Sequence, residues 1–355
     1  MYEGKRRAAL LILAVWCGGC PFEGGLDTGG FGDGEFVPDD VPQTFYVSPS
    51  GDDAADGLSV ETAFKTVTRA VLSLGPGDTL LLQPGTYAEE VSTEVKGTST
   101  APVTIVGDGD GVVFDGQRTR GVGFWCNECA HVTIENITFR DYTDVGLIVT
   151  LSEDVTLRNL TVHGNGFAAK MSWVEGYGMH VEDSSGVVIE GCEAFDNGPN
   201  PQVLDRWLGT GIDTFNLRDS VIRNNRSHDN TGGGLLVEDS TNVLVENNEL
   251  TDNDLDATVE QWWDGAVWVD GGHDITLRGN VITGNIGPGI QLSDEELQNP
   301  SGYVLEGNTV TGNLYGVYIW NFGTSDVPAK EIIDIRDENQ IDGNSILDFW
   351  IVPFN

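Results

Sequence analysis

Positive charge is what this sequence has least of. Lys and Arg number 18 against 56 Asp and Glu, a formal net charge of −38 at pH 7. Such a surface repels phosphate backbones, which excludes nucleic acid as a partner and disfavours anionic lipid surfaces. An acidic polysaccharide could approach only with help from a bound cation. Plain solubility, for instance in a salty habitat, accounts for the same charge. Long apolar runs are missing too: AALLILAVW at 8–16 is too short to cross a bilayer as a permanent helix. Proline is unremarkable at 13, while glycine reaches 47, a balance that suits many short turns and excludes a collagen-like or disordered body.

What is present is a repeat. The stretch SVIRNNRSHDNTGGGLLVEDST at 220–241 holds two short alternating runs, SVIRNN and GLLVED, joined by a turn-forming cluster. Copies read VTLRNLTVHGN (155–165), VVIEGCEAFDN (187–197), VLVENNELTDN (243–253), ITLRGNVITGN (275–285) and YVLEGNTVTGN (303–313). The closing Asn falls at 165, 197, 230, 253, 285 and 313, so coils are 23 to 33 residues long. A second Asn recurs at 225, 248, 280 and 308, with Cys192 in that place one coil earlier. One such coil cannot bury its own apolar face and needs copies above and below. Asn tolerates a left-handed turn, and its amide can bond to the copy about 4.8 Å away, so these Asn are read as a structural ladder rather than as catalytic. At 355 residues the continuous repeat favours one large domain.

The run YVSPSGDDAADGLSVETAFKTVTRAVLSLGPGDTLLLQPGTY at 46–87 resembles the N-terminal cap of right-handed parallel β-helices in a group of bacterial pectate lyases and in mannuronan C-5 epimerases. Within it, Phe64, Val67, Ala70, Val71 and Leu74 at helical spacing predict a capping helix over 61–74. The resemblance implies an all-β fold, a single-stranded right-handed parallel β-helix of pectin-lyase-like type with PbH1-type repeats and an N-terminal capping helix. The helix would cover the apolar end of the stack. Residues 44–355 form this domain; coils run from 101, the last readable one ends near 321, and residues 330–355 are expected to cap the far end.

Residues 1–20 read as an export signal, with Lys5, Arg6 and Arg7 before the apolar run. Cys17-Gly18-Gly19-Cys20 resembles a bacterial lipobox, which makes Cys20 the candidate lipidation site, although Cys17 stands where an aliphatic residue is usual. Residues 21–43 are Gly- and acid-rich without periodicity, a flexible acidic tether. The expected protein is therefore a monomer at the outer membrane or cell surface, held only by a lipid anchor, or else secreted or periplasmic. Cys126 and Cys129 are read as a local disulfide, a metal site or free thiols; Cys192, at a ladder position, as a buried inert thiol. His131, His163, His228 and His273 lie at or beside turns.

The second strands align as GMHVED (178–183), GIDTFN (211–216), GLLVED (234–239), AVWVDG (266–271), GIQLSD (289–294) and GVYIWN (316–321). Alternation puts His180/Glu182, Asp213/Phe215, Leu236/Glu238 and Trp268/Asp270 on the outer face. Long loops flank it, carrying Trp173, Trp207, Trp262 and Trp263. Aromatic walls with convergent polar groups suit sugar rings, so Phe215, Trp268 and these tryptophans are candidate polysaccharide contacts. The same tryptophans could instead seal the loops onto the stack. Glu182, Asp213, Glu238 and Asp270 sit on successive coils and resist joint ionisation; calcium held by Asp213, Glu238 and Asp270 is one answer. In the lyases that the cap resembles, calcium neutralises a uronate carboxylate and a Lys or Arg removes the C5 proton. Lys170, Arg206 or His180 could take that part here, alongside Glu182. No DPHD-type run and no cluster of adjacent aspartates is present, so no catalytic residue transfers by motif. Glu182 with Glu238 could alternatively support inverting glycoside hydrolysis, whose carboxylates stand about 6.5–9.5 Å apart. The third reading is a non-catalytic surface module.

Overall fold

The computed structural model describes residues 41–169, 176–199, 209–258, 262–295, 299–321 and 333–352. Residues 1–20, read as an export signal ending in Cys20, and all but the last three residues of the expected tether at 21–43 lie outside them. Each coil carries three strands, one more than the two alternating runs suggest. In the 23-residue coil these are Arg218–Arg223, Arg226–His228 and Leu235–Glu238. The additional strand is three residues long, too short for alternation to reveal it. Stacking in register produces three parallel sheets of 11, 10 and 10 strands among the described residues, a right-handed parallel β-helix.

The turns explain the Asn pattern. Between the first and second sheets the left-handed residue is Asn159, Gly191, Asn224, Asn247, Gly279 or Gly307, with φ between 51° and 64°. Asp196, Asp229, Asp252, Gly284 and Gly312 do the same at the next corner. The left-handed position is thus the residue just before each ladder Asn, and not the ladder Asn itself as the spacing suggested. That frees the Asn side chain to point inward and along the stack. Nδ2 of Asn165 donates to Oδ1 of Asn197, and the series continues through Asn230, Asn253, Asn285 and Asn313 to Asn344. A second series runs from Asn225 through Asn248, Asn280 and Asn308 to Asn339. Cys192 heads it by its backbone N–H alone; its buried thiol is pushed up to about 12 and is inert.

Two ends of the stack differ from expectation. The N-terminal helix spans only Val67–Ala70, followed by a 3-10 turn, Val71–Ser73. The carboxylate of Asp53 accepts from the amides of Lys65 and Thr66, holding Thr66 extended at φ −116°, ψ 142°, so the helix cannot begin earlier. Glu89 then accepts from the first free amides, Val67 and Thr68. At the other end, residues 333–351 do not form a distinct cap. They add one more coil, Ile333–Ile335, Gln340–Asp342 and Leu347–Ile351, which leaves inward-facing Leu347, Phe349 and Ile351 exposed at 42–48%.

Inside, one continuous core runs the length of the stack, from Val47 and Phe64 through Phe114, Phe124 and Phe139 to Ile319. Cys126 and Cys129 are joined by a disulfide within it.

Candidate functional site

The third sheet carries the outer face predicted to hold the chemistry. Its register forms two outward columns. The first runs Trp125, Ile148, His180, Asp213, Leu236, Trp268, Gln291 and Tyr318. The second runs Asn127, Thr150, Glu182, Phe215, Glu238, Asp270 and Ser293. Strand residues two apart share a face, so Asp213 lies beside His180 rather than in line with Glu182 and Glu238.

Much of this face is not open. Ile148, His180, Asp213, Leu236, Trp268 and Gln291 are all buried, with His180 at 5% and Asp213 at 3% exposure. Glu182, Phe215 and Glu238 in the second column stay half-exposed. Substrate would therefore meet the second column first.

Asp213 Oδ2 bonds to Nδ1 of His180, and His180 Nε2 faces Oε2 of Glu182 at 3.4 Å. The ring of Tyr177 stacks on the imidazole, 5.3 Å between centroids and 13° from parallel. Burial opposes charge on the imidazole, but hydrogen bonds and attraction from Asp213 and Glu182 outweigh it and push His180 up to about 9. At neutral pH the ring is an imidazolium between two carboxylates. When it loses a proton, Asp213 keeps the remaining one on Nδ1 and directs the lone pair at Nε2 towards Glu182. Oδ1 of Asp213 is buried with no hydrogen-bond partner.

The expected calcium ligands do not come together. Asp213 is committed to His180; Asp270 accepts from the Ser293 hydroxyl and the Glu295 amide. Burial, with Asp239 and Asp294 nearby, raises Asp270 to about 6 against those hydrogen bonds. Among the described residues no group of three or more His, Cys, Asp or Glu is arranged to hold a metal ion. The donor set of Asp213, Glu238 and Asp270 does not fit calcium.

The aromatic candidates divide. Trp268 is buried and donates from Nε1 to Ser293 Oγ at 2.7 Å, so it supports the wall instead of presenting a face. Trp263 packs edge-on against it at 6.3 Å and is 43% exposed. Trp262, half-buried, joins Tyr315, Tyr318 and Trp350 in a cluster with centroids 4.8–6.2 Å apart. Of the described loop tryptophans, Trp262 is packed against the end of the stack and Trp263 keeps an exposed face. Lys170, Arg206, Trp173 and Trp207 lie outside the described residues.

Sequence reasoning missed Tyr177 and the acids Asp254, Asp256 and Asp264 in the loop after Asn253. The run Asp-Leu-Asp directly behind a ladder Asn was a readable signal, since no other closing Asn is followed by two acids.

Comparison with known proteins places this geometry in context. A family model described as "Right handed beta helix region" matches residues 104–254 and 168–346. A protein of Bacillus subtilis (strain 168), Uncharacterized protein YwoF, is 25% identical over 344 residues, covering 85% of this chain and 70% of its own length. Among solved structures, pectate lyase Pel9A superposes with a TM-score of 0.63 at 17% identity, over 84% of this chain and 79% of that one. An alginate lyase from Paenibacillus sp. gives 0.61 at 16% identity, over 79% and 94%. A lacto-N-biosidase from Eubacterium ramulus gives 0.57 at 16%, over 86% and 68%. At these identities the superpositions establish a shared fold and nothing finer.

Proposed function

The chain belongs to the right-handed β-helix family, and from that premise we propose that it is an exported, lipid-anchored protein that acts on polysaccharide along the third sheet. The reaction we assign is proton transfer at C5 of a uronate ring, as in a lyase or C-5 epimerase. The observation that carries this reading is the continuous line from Asp213 through His180 to Glu182, which ends at the one member of the three that substrate can reach. The polysaccharide-active proteins sharing the fold, a pectate lyase and an alginate lyase among them, add support.

Glu182 takes the C5 proton and passes it to the neutral imidazole at Nε2, with Asp213 fixing the tautomer. The electron pair left at C5 then has two fates. It can form a C4=C5 double bond as the C4–O bond breaks and the departing oxygen takes a proton from solvent. It can also regain a proton on the opposite face, which inverts C5. A carboxylate alone is a weak base for such a proton, and the imidazole behind it supplies the missing driving force. The negative substrate must be balanced by cations from the wall loops, where Lys170 and Arg206 stand in the sequence.

A second reading rests on its own observation. Glu182 and Glu238 flank Phe215 in one column, two coils apart, or about 9.6 Å between backbones. That lies near the separation of an inverting glycosidase pair, and a neutral glycan would suit the acidic face.

A proton NMR time course with pectin, alginate and neutral glycans tests both. Alkene signals or altered C5 stereochemistry support the first reading; new reducing ends alone support the second. An unchanged spectrum across the panel leaves a binding module and sinks both reactions.

A further inference from the structure

The disulfide between Cys126 and Cys129 takes no part in the proposed proton transfer, yet it brackets one residue of the second outward column. Asn127 ends the strand Val122–Asn127, and the disulfide closes over it and Glu128, with both cysteines buried in the core. The next coil fastens the same corner. The Cys129 amide donates to Ser152 Oγ at 3.0 Å, and that hydroxyl donates to the Thr150 carbonyl at 2.8 Å. The backbone that carries Asn127 is therefore held on both sides before any ligand arrives.

Its side chain is held as well. Trp125 Nε1 donates to Thr150 Oγ1 at 2.8 Å, and Thr150 Oγ1 donates to Asn127 Oδ1 at 2.9 Å. An indole N–H can only donate, so it takes a lone pair of the hydroxyl and leaves the hydroxyl hydrogen for Asn127. Thr150 is 7% exposed, and turning the amide around would strand that hydrogen away from water. The relay thus aims the two N–H groups of half-exposed Asn127 away from Thr150, and among the described residues no protein acceptor meets them.

Charge separates this stretch from the rest of the face. The outward residues of the two coils before His180 are Trp125, Asn127, Ile148 and Thr150, none of them ionisable. The four coils that follow carry His180, Glu182, Asp213, Glu238 and Asp270. A polyanion is repelled by the carboxylates of the second stretch and not by the first. By register Asn127 stands two coils from Glu182, about 9.6 Å between backbones, with Thr150 between them. A pyranose ring advances an extended chain by about one coil spacing, so a polymer reacting at Glu182 brings the ring two positions along to Asn127.

Resting on the uronate reading above, we propose that Asn127 is a specificity residue whose amide donates to the carboxylate of that ring, so that substrate runs from Glu182 towards the N-terminal coils. Thr150 and Trp125 are positioning residues, acting through the orientation of the amide.

Binding of saturated two-ring and three-ring oligouronates to the full chain, measured by calorimetry in chelator and in the E182Q background, tests this without turnover. Affinity should rise about tenfold from two rings to three, as one charge-assisted hydrogen bond would give. N127D should remove that rise; T150V should remove it too and T150S keep it, whereas a loss of packing alone would weaken both ligands alike. A rise that survives in N127D overturns the proposal and leaves the uronate reading standing. A three-ring methyl ester that binds as tightly as the acid also overturns it, since the contact would then be with a hydroxyl. If no oligouronate binds either wild type or E182Q, the uronate reading falls and this proposal with it. Should N127D fail to fold, N127S must lose the rise.

Discussion

Arg223 donates twice to the same oxygen of Glu190 in the coil before it, from Nε at 2.8 Å and from Nη2 at 2.6 Å. This pair is one rung of a column in which sign alternates at every coil: Glu135, Arg158, Glu190, Arg223, Glu246, Arg278 and Glu306, with Arg336 at its end. In a chain so poor in cations, Arg158, Arg223 and Arg278 each stand between carboxylates on the coils to either side, about 4.8 Å away, and Arg336 closes the column on Glu306.

Each rung is partly exposed, so its individual value is small. Arg223→Ala should cost about 1 kcal/mol in urea unfolding, and the loss should shrink in 1 M salt. Arg223→Glu would set a third carboxylate between those of Glu190 and Glu246, and should cost clearly more than the alanine change. Equal effects would show that the ladder is ornamental.

The Asn ladder is a stronger fastening. Asn253 is fully buried, donates to Ser227 O and Asn285 Oδ1, and accepts from the backbone and side chain of Asn230. Asn253→Ala strands those partners without water and should destabilise by about 3 kcal/mol or more. Exposed Asn242, left-handed at φ 56° and bonded to Asp219, should cost clearly less on the same change, about 1 kcal/mol. A small loss at Asn253 would mean that water replaces the amide.

For the proposed proton transfer the pH dependence has a definite sign. The reaction needs neutral His180, held up near 9, so kcat should rise with pH through about 9. Asp213→Asn removes a main cause of that elevation and should move the limb down by more than one pH unit while lowering the plateau. The hydrolase reading needs a protonated carboxyl group and predicts the opposite slope.

The exposed and the buried tryptophan of the wall should separate in binding. Trp263→Ala should weaken glycan affinity several-fold with little change in melting temperature, because its ring is 43% exposed. Trp268→Ala removes a buried ring that is hydrogen-bonded to Ser293, and should lower the melting temperature by several degrees. If Trp263→Ala leaves affinity intact, the wall does not contact the sugar.

Much of this was legible in the residues. The Asn spacing located the coils because a left-handed corner followed by a stacked amide favours Gly, Asp or Asn and then Asn, a pattern kept from Asn225 onward at the first corner, where Leu160 and Cys192 stand in the two coils before. Alternation in GMHVED, GIDTFN and GLLVED assigned inward and outward faces because a strand has period two, and the observed register agrees residue for residue. The short middle strand and the final coil escaped notice, the one being three residues long and the other lacking the apolar regularity of its neighbours while keeping Asn339 and Asn344.

What tertiary structure alone decided is who meets whom on the outer face. In sequence, Glu182, Asp213, Glu238 and Asp270 look like four equal acids on four coils. The alignment sets Asp213 opposite His180, but only packing buries the pair, with His180 at 5% and Asp213 at 3% exposure, and leaves Glu182 half-exposed. The charge of a buried side chain depends on what surrounds it in space, so the upward shift of His180 follows from packing between segments far apart in the chain. Local pattern determined the coil; the stacking of unlike coils and their loops determined the chemistry.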